Sequence, residues 1–392
     1  MDDSALRLGF VTSRSAFTER GRLFADAGFA RLVHALREGV ETLTLAYSAA
    51  PRRQPLHDHV LGAETYAVAL PWTPSLASGV WRVRAASAAI REVERRAQVV
   101  IVQLPFATFP ALFHARTPRV YHVCSDIARI ARTSPAYAGA TRGLAVTAGS
   151  ITHAAHRYLT SRARTRTVTN GHELYQRLKQ PPGSSLVSAS LFSREVGSVT
   201  RRRPPDAPFR VLFVGYLRPE KNFAVLFRAF TRLIADVPNA ELYVVGAEAP
   251  LDRGSSRLVL ELLKPIRERV TFTGHLAFGP DLFQCYADAD VLALPSSSEG
   301  TPRVLMEARA FGCPVIASDV GGIPTSISDG HDGLLAPPDD AAAWHRALVA
   351  VAKDTELRRA LVEHGLATAR RHSIEAMAEH LLAEARRARE ER

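Results

Sequence analysis

The chain has 392 residues, 46% of them apolar, and a formal charge of +11, which is about two domains' worth of sequence with enough apolar matter for real cores and excludes a small disulfide scaffold. Its three cysteines, Cys124, Cys285 and Cys313, are scattered, with no C-x-x-C pair and no His/Cys cluster at metal-ligand spacing, so a reduced, cytosolic protein without structural zinc is expected. The charge is uneven, 28 Lys/Arg against 14 Asp/Glu in residues 1–208 and 22 against 25 in residues 209–392.

From the N-terminus, "MDDSALRLGFV" opens with acids and lacks the basic segment, apolar core and small-residue cleavage site of a signal peptide. Apolar runs then alternate with helical-period segments, the pattern of a parallel α/β sheet. Strands are predicted at "LRLGFV", "TLTLAY", "QVVIVQ" and "RVYHVC", and helices near Gly28 to Arg37, Val80 to Arg95 and Arg142 to Tyr158. The most apolar window, "AQVVIVQLPFATFPALF", is broken by Gln103 and two prolines and falls short of the roughly 20 apolar residues of a membrane span. The segment "SREVGSVTRRRPPDAP" loses periodicity and collects charge, glycine and proline, which marks a linker. After it come strand "FRVLFVG", a helix from Phe223 to Ala235, strand "ELYVVG", a helix around Ser256 to Ile266, strand "VTFTG", a helix near Asp281 to Ala287 and strand "VLALP". This second half reads as a doubly wound sheet of its own. The expected division is a domain over 1–200, a linker over 201–208, a domain over 209–372, and a C-terminal helix over 373–392 that packs back on the first domain. Two α/β domains facing across a cleft would hold a large ligand there.

The basic half suits nucleic acid, anionic lipid head groups or an anionic substrate. No helix-turn-helix, zinc-finger or aromatic RNP pattern lies among the arginines, so no nucleic-acid partner is expected. Only four of the fifty basic residues are lysine, and base composition of the gene explains an arginine excess equally well.

Two glutamates, Glu299 and Glu307, stand eight positions apart in "PSSSEGTPRVLMEARAFGCPVIASDVGGIP". Thr301 is expected to supply an N-cap hydroxyl with Pro302 at the first helical position, which leaves Glu299 on the loop and Glu307 inside the helix, on the order of 10 Å apart. That is too far for the pair of a retaining glycosidase, which needs about 5 Å, and too far to chelate one ion. Gly300 and the backbone N–H groups of the helix start lie between them and favour phosphate or hydroxyl oxygens. A ligand with hydroxyl-rich ends and a diphosphate in the middle, such as a nucleoside diphosphate sugar, fits this spacing.

These residues resemble a family. "EGTPRVLME" is similar to the E-x7-E motif of the family 4 retaining glycosyltransferases, with "VGYLRPEKN", "YADADVLALPSSSEG", "GCPVIASDVGGIP" and "DGLLAPPDD" in the family's order over about residues 209–340. The resemblance implies the GT-B fold, two Rossmann-like domains of which the second binds the donor and the first the acceptor. It also implies that Glu307 holds the ribose, that Glu299, Gly300, Thr301 and Val304 line the sugar and diphosphate, and that Lys221 and Arg218 clamp the diphosphate. In the first domain "RVYHVCSD" is similar to the family's strand ending in a cleft histidine, His122, and "DAGFARLVHAL" to its glycine-bearing helix start, Gly28. The implied reaction is a metal-independent transfer with retention, needing no cofactor beyond the donor. Its acceptor is a glycan, lipid-linked or small-molecule hydroxyl, and its place the cytoplasm, at the inner membrane face if the basic half serves a lipid surface. No carboxylate stands where a covalent nucleophile is needed. Tyr216 replaces the family's arginine, Thr325 its glutamate and Ala27 a first-loop glycine. An epimerase or phosphorylase on the same scaffold, or a non-catalytic relative, therefore stays open.

Overall fold

The structure is a computed structural model and describes residues 6–391 except 55–56, 63–64, 72–82, 106–107, 109–116, 134–138 and 247–256. The predicted helix starts at Val80 and Ser256 lie outside the described residues. The chain divides into two compact units, one of 1–131, 142–190 and 374–392, the other of 132–141 and 191–373. Among the described residues no helix is long and apolar enough to cross a membrane.

The first unit is built on parallel strands in the order β5 (Tyr66–Leu70), β3 (Thr42–Ala49), β1 (Arg7–Glu19), β6 (Val99–Leu104), β7 (Arg119–Val123), β8 (Thr165–Asn170) and β9 (Gly183–Leu186). "VVIVQL" in β6 is buried at every position, as a strand covered on both faces must be. Beyond the predicted "LRLGFV", β1 continues through an irregularity between Val11 and Ser15 and turns back on β2 (Arg22–Ala25), which pairs in turn with β4 (His59–Leu61). The two-residue turn is Arg20-Gly21, both at positive φ (48° and 74°), which suits a primed hairpin turn. The strands "TRTVTN" and "GSSL" are absent from the predicted elements because hydroxyl side chains, not apolar ones, fill them.

The C-terminal helix Ile374–Glu390 packs on this unit through Ile374, Leu381, Leu382 and Ala385. Arg166 in β8 pairs with Glu384 and Glu391, and Ser184 in β9 lies 2.7 Å from His380 Nε2.

The second unit holds six parallel strands in the order β12 (Val270–Gly274), β11 (Glu241–Val245), β10 (Arg210–Val214), β13 (Val291–Leu294), β14 (Val315–Ser318) and β15 (Leu334–Ala336). Strand order thus reverses between β10 and β13, the topological switch beside which ligands bind in doubly wound sheets. The helix Phe223–Asp236 follows β10 and buries Phe223, Leu226, Phe227, Phe230 and Leu233, a stripe at helical spacing. Phe223 lies 4.6 Å from Phe213 of β10, centroid to centroid. That contact fixes where the connecting loop, Gly215–Asn222, must end.

Candidate active site

Two loops leave the switch point on the carboxyl side of the sheet. The loop after β10 ends in a short 3-10 turn, Pro219–Lys221, and the one after β13 carries Pro295–Pro302. They are tied together: Ser297 N donates to Glu220 O at 2.8 Å, and Lys221 Nζ pairs with the Glu299 carboxylate. Ser296 Oγ donates to the same Glu299 oxygen at 2.9 Å. Asn222, which follows Lys221, adopts the left-handed conformation (φ 53°) and donates from Nδ2 to Pro338 O at 2.8 Å. Asparagine tolerates that backbone better than most residues, so Asn222 aims the lysine while anchoring the loop to a third segment.

Behind the Glu299 loop stand two glycines that the motif "DVGGIP" contains. A Cβ on Gly321, whose φ is +61°, would lie 1.9 Å from Glu299 O, and one on Gly322 would lie 2.6 Å from Gly300 O. Gly322 N donates to Glu299 O at 3.4 Å. Backbone rests directly on backbone there, and no side chain fits between.

Glu307 is set apart from Glu299. It lies in the helix Arg303–Ala310, is buried, and accepts a 2.7 Å hydrogen bond from Tyr286 Oη on the helix Pro280–Ala287. Burial, aided by the neighbouring Glu307 carboxylate, pushes the Tyr286 hydroxyl well above its ordinary pKa, so it remains a donor. Glu299 stays on the loop with Lys221 and Ser296 as its partners, and the two glutamates hold separate hydrogen-bond sets. The N-cap expectation is corrected: the helix opens at Arg303 with Pro302 in the cap position, at φ −71° and ψ 122°, and Pro302 itself has no side-chain donor or acceptor to cap it. Thr301 is instead buried just before the cap. A proline can hold the extended cap backbone as well as the first helical turn, which is why the motif shifted by one residue. Gly300 is exposed, and Val304 packs partly buried against the core.

Arg218 is largely exposed, lies 5.0 Å from the Tyr216 ring centroid and sits 3.9 Å from Glu220. Thr325 bonds back to Gly322 O at 2.9 Å. In the first unit Gly28 falls in the first turn of the helix Ala27–Glu38, which Asp26 caps by accepting from Phe29 N at 3.1 Å. His122 is the penultimate residue of β7 and is only 1% exposed. The Gln103 amide, itself accepting from Thr12 Oγ at 2.6 Å, donates to Nδ1 at 3.2 Å, which leaves Nε2–H to donate to Asn170 Oδ1 at 2.8 Å. Both ring nitrogens are occupied, so the expected contact of His122 with a sugar requires Nε2 to release Asn170. Cys124 Sγ donates to the His122 carbonyl at 3.7 Å. Among the described residues no group of three or more His, Cys, Asp or Glu is placed to hold a metal ion.

Residues 208–354, which contain every expected donor-binding residue except Gly28, match the family model of the group 1 glycosyl transferases. Over those residues the chain is similar to the group 1 glycosyl transferases. D-inositol 3-phosphate glycosyltransferases of Nocardia farcinica (strain IFM 10152) and Corynebacterium kroppenstedtii (strain DSM 44385) are each 36% identical to this chain, over 207 and 211 residues. These alignments cover 52% and 51% of the chain and 45% and 46% of those proteins, so the chain spans about half the length of the curated relatives it matches. Solved structures extend the likeness in fold to the whole chain. Sucrose-phosphate synthase from Thermosynechococcus elongatus superposes with a TM-score of 0.72 at 19% identity, covering 97% of this chain and 98% of that one. Anabaena HepE in complex with UDP does so with 0.70 at 18%, covering 97% and 99%. The residues that match the family model thus form the second half of a GT-B fold.

Of the residues that build this site, Tyr286, Ser296, Asn222 and the Gly321-Gly322 pair are missed by sequence reasoning, although the quoted motifs contain them. The double glycine is a signal in itself. Tyr286, 21 residues before its partner Glu307, gives none.

Proposed function

We propose that this chain is a retaining glycosyltransferase that moves a sugar from a nucleoside diphosphate donor to a hydroxyl acceptor. The observation that carries the reading is the meeting of Lys221 and Glu299 at the strand-order switch. Cation and carboxylate neutralise each other there, and a diphosphate and the sugar hydroxyls would each take one of them. Lys221 then stabilises the charge that develops on the leaving diphosphate, with Arg218 as a second cation able to swing from its exposed position. Gly300 and Thr301 lead into the helix Arg303–Ala310, and Val304 lies in its first turn, so that its positive end would face the same anion. Glu307, fixed by Tyr286, takes the ribose diol.

The inositol phosphate glycosyltransferases among the relatives support glycosyl transfer, and the solved complexes of Anabaena HepE with UDP and with UDP-glucose support a nucleotide-sugar donor. The acceptor is read from the basic first half as anionic or lipid-linked. With cations and a helix start available for the diphosphate, turnover needs no divalent ion; activity lost to a chelator and restored by Mn²⁺ would overturn that.

Calorimetry with nucleoside diphosphate alone, beside steady-state rates with the full donor, tests the assignment. Glu307→Ala should weaken nucleotide binding by about 1.5 to 3 kcal/mol, the scale of hydrogen bonds to a charged group. Glu299→Ala should leave that affinity nearly intact and lower the turnover rate, because the sugar and not the ribose changes on the way to the transition state. Normal binding and normal turnover in both variants would sink the reading.

A further inference from the structure

The helix Gly139–Thr160 carries large apolar residues on its outer side. Leu144, Ile151 and Tyr158 are 74%, 58% and 57% exposed, and their regular seven-residue spacing keeps them on one face, drifting about 20° per step along roughly 21 Å. Scattered exposed apolar residues are ordinary, but three in register form a stripe. The helix cannot roll to hide it. Gly149, Thr152, His156 and Leu159 are its buried side, and a Cβ on Gly149 would already lie 2.6 Å from Ala128 Cα.

The stripe runs into a cavity of about 600 Å³ that Tyr158 itself lines, together with Arg157, Ser161, Lys179 and Gln180. The lining holds two cations and no carboxylate. Its far wall is a fixed turn: Lys179 and Gln180 both have positive φ (65° and 48°), and Tyr175 Oη contacts Pro181 O at 2.8 Å and Gly183 O at 3.1 Å across it. Of the seven arginines between Asp126 and Glu173, Arg129 pairs with Glu173 and Arg166 with Glu384 and Glu391, whereas Arg157 is exposed and Arg162 lies 5.7 Å from the Tyr158 ring centroid, so the face around the cavity carries positive charge that suits a negative partner.

We propose that this face docks on an anionic membrane, with the cavity taking a lipid phosphate against Arg157 and Lys179 while Leu144, Ile151 and Tyr158 enter the interfacial layer. A basic flank beside an apolar stripe is what holds a helix in the plane of a bilayer surface, and tyrosine favours the head-group level. The cavity alone would suit a dissolved phosphate ester, but the stripe gains nothing from one. This deepens the lipid-side part of the reading above. It is tested without donor or acceptor, so its failure leaves the transfer reading to its own calorimetry.

The full chain should co-sediment with vesicles containing phosphatidylglycerol and far less with pure phosphatidylcholine, and glycerol phosphate in solution should not compete. Leu144→Ser with Ile151→Ser, and separately Arg157→Glu with Lys179→Glu, should each lower the bound fraction by more than about tenfold. All four side chains lie at the surface, and circular dichroism should show unchanged melting. Equal binding to both vesicle types, no binding to either, or binding indifferent to both double variants overturns the proposal. So does a stripe variant that changes only the sedimenting mass, which would make the face a contact between proteins.

Discussion

At the scale of single residues, the ribose end of the proposed donor site is one carboxylate, Glu307, held by one buried phenol, Tyr286. If Tyr286 acts by orienting Glu307, Tyr286→Phe should weaken nucleoside diphosphate binding about fivefold, a hydrogen bond's worth. In a Glu307→Ala background the same change should cost almost nothing, because the partner is gone. Calorimetry on the four proteins of that cycle checks it, and additive losses would mean that Tyr286 acts elsewhere. A second residue sets a pH limit in the first unit. Burial, reinforced by the nearby His153, drives His156 down to about 4, and its Nε2 sits 2.8 Å from Thr108 Oγ. The unfolded chain takes up that proton near pH 6.5 and the folded chain only near 4. Stability is therefore whole above pH 6.5, falls as the pH drops towards 4, and levels below it, by up to roughly 3 kcal/mol. Protection of the helix Gly139–Thr160 against hydrogen exchange, after correction for the intrinsic rate at each pH, should fall through that window, and His156→Gln should flatten the response.

At the scale of elements, the Glu299 loop is shaped by a second loop that touches no ligand in the proposed scheme. Gly321→Ala puts a methyl 1.9 Å from Glu299 O and forces a left-handed residue to carry a Cβ, so it should cut turnover by about tenfold or more through the displaced carbonyl. Gly330 is the control, because it shares the positive φ (+72°) but has nothing within 4 Å of an added Cβ. Gly330→Ala should cost about 1 kcal/mol of stability and leave the rate alone; equal rates in both variants would show that the glycine contact is not needed. The elements were legible where one physical signal ruled. The helix predicted at Phe223 to Ala235 ends at Asp236, because its apolar stripe is complete within the segment. Strand β9, "GSSL", sends no such signal: its glycine is needed because a Cβ would meet Thr167 O at 1.9 Å, a neighbour supplied by another strand.

At the scale of the whole molecule, the last helix belongs to the first unit. Ile374, Leu381, Leu382 and Ala385 are buried there, and a Cβ on Gly39 would meet Leu382 at 2.4 Å. Residues 1–190 produced alone should therefore lack cooperative melting by circular dichroism, and should regain it when residues 374–392 are fused on. A fully cooperative 1–190 would show the helix to be an accessory. By itself the sequence determined the parts whose cause is local: two α/β halves, the apolar strands, the helix stripes, and a motif whose spacing separates Glu299 from Glu307. Tertiary structure alone decided what depends on strands brought together from afar. The Tyr286 bond to Glu307, the glycines beneath Glu299, the engagement of both nitrogens of His122, and the outward stripe beside a cationic cavity all arise because burial and hydrogen-bond partners are assigned only when the sheet order is set.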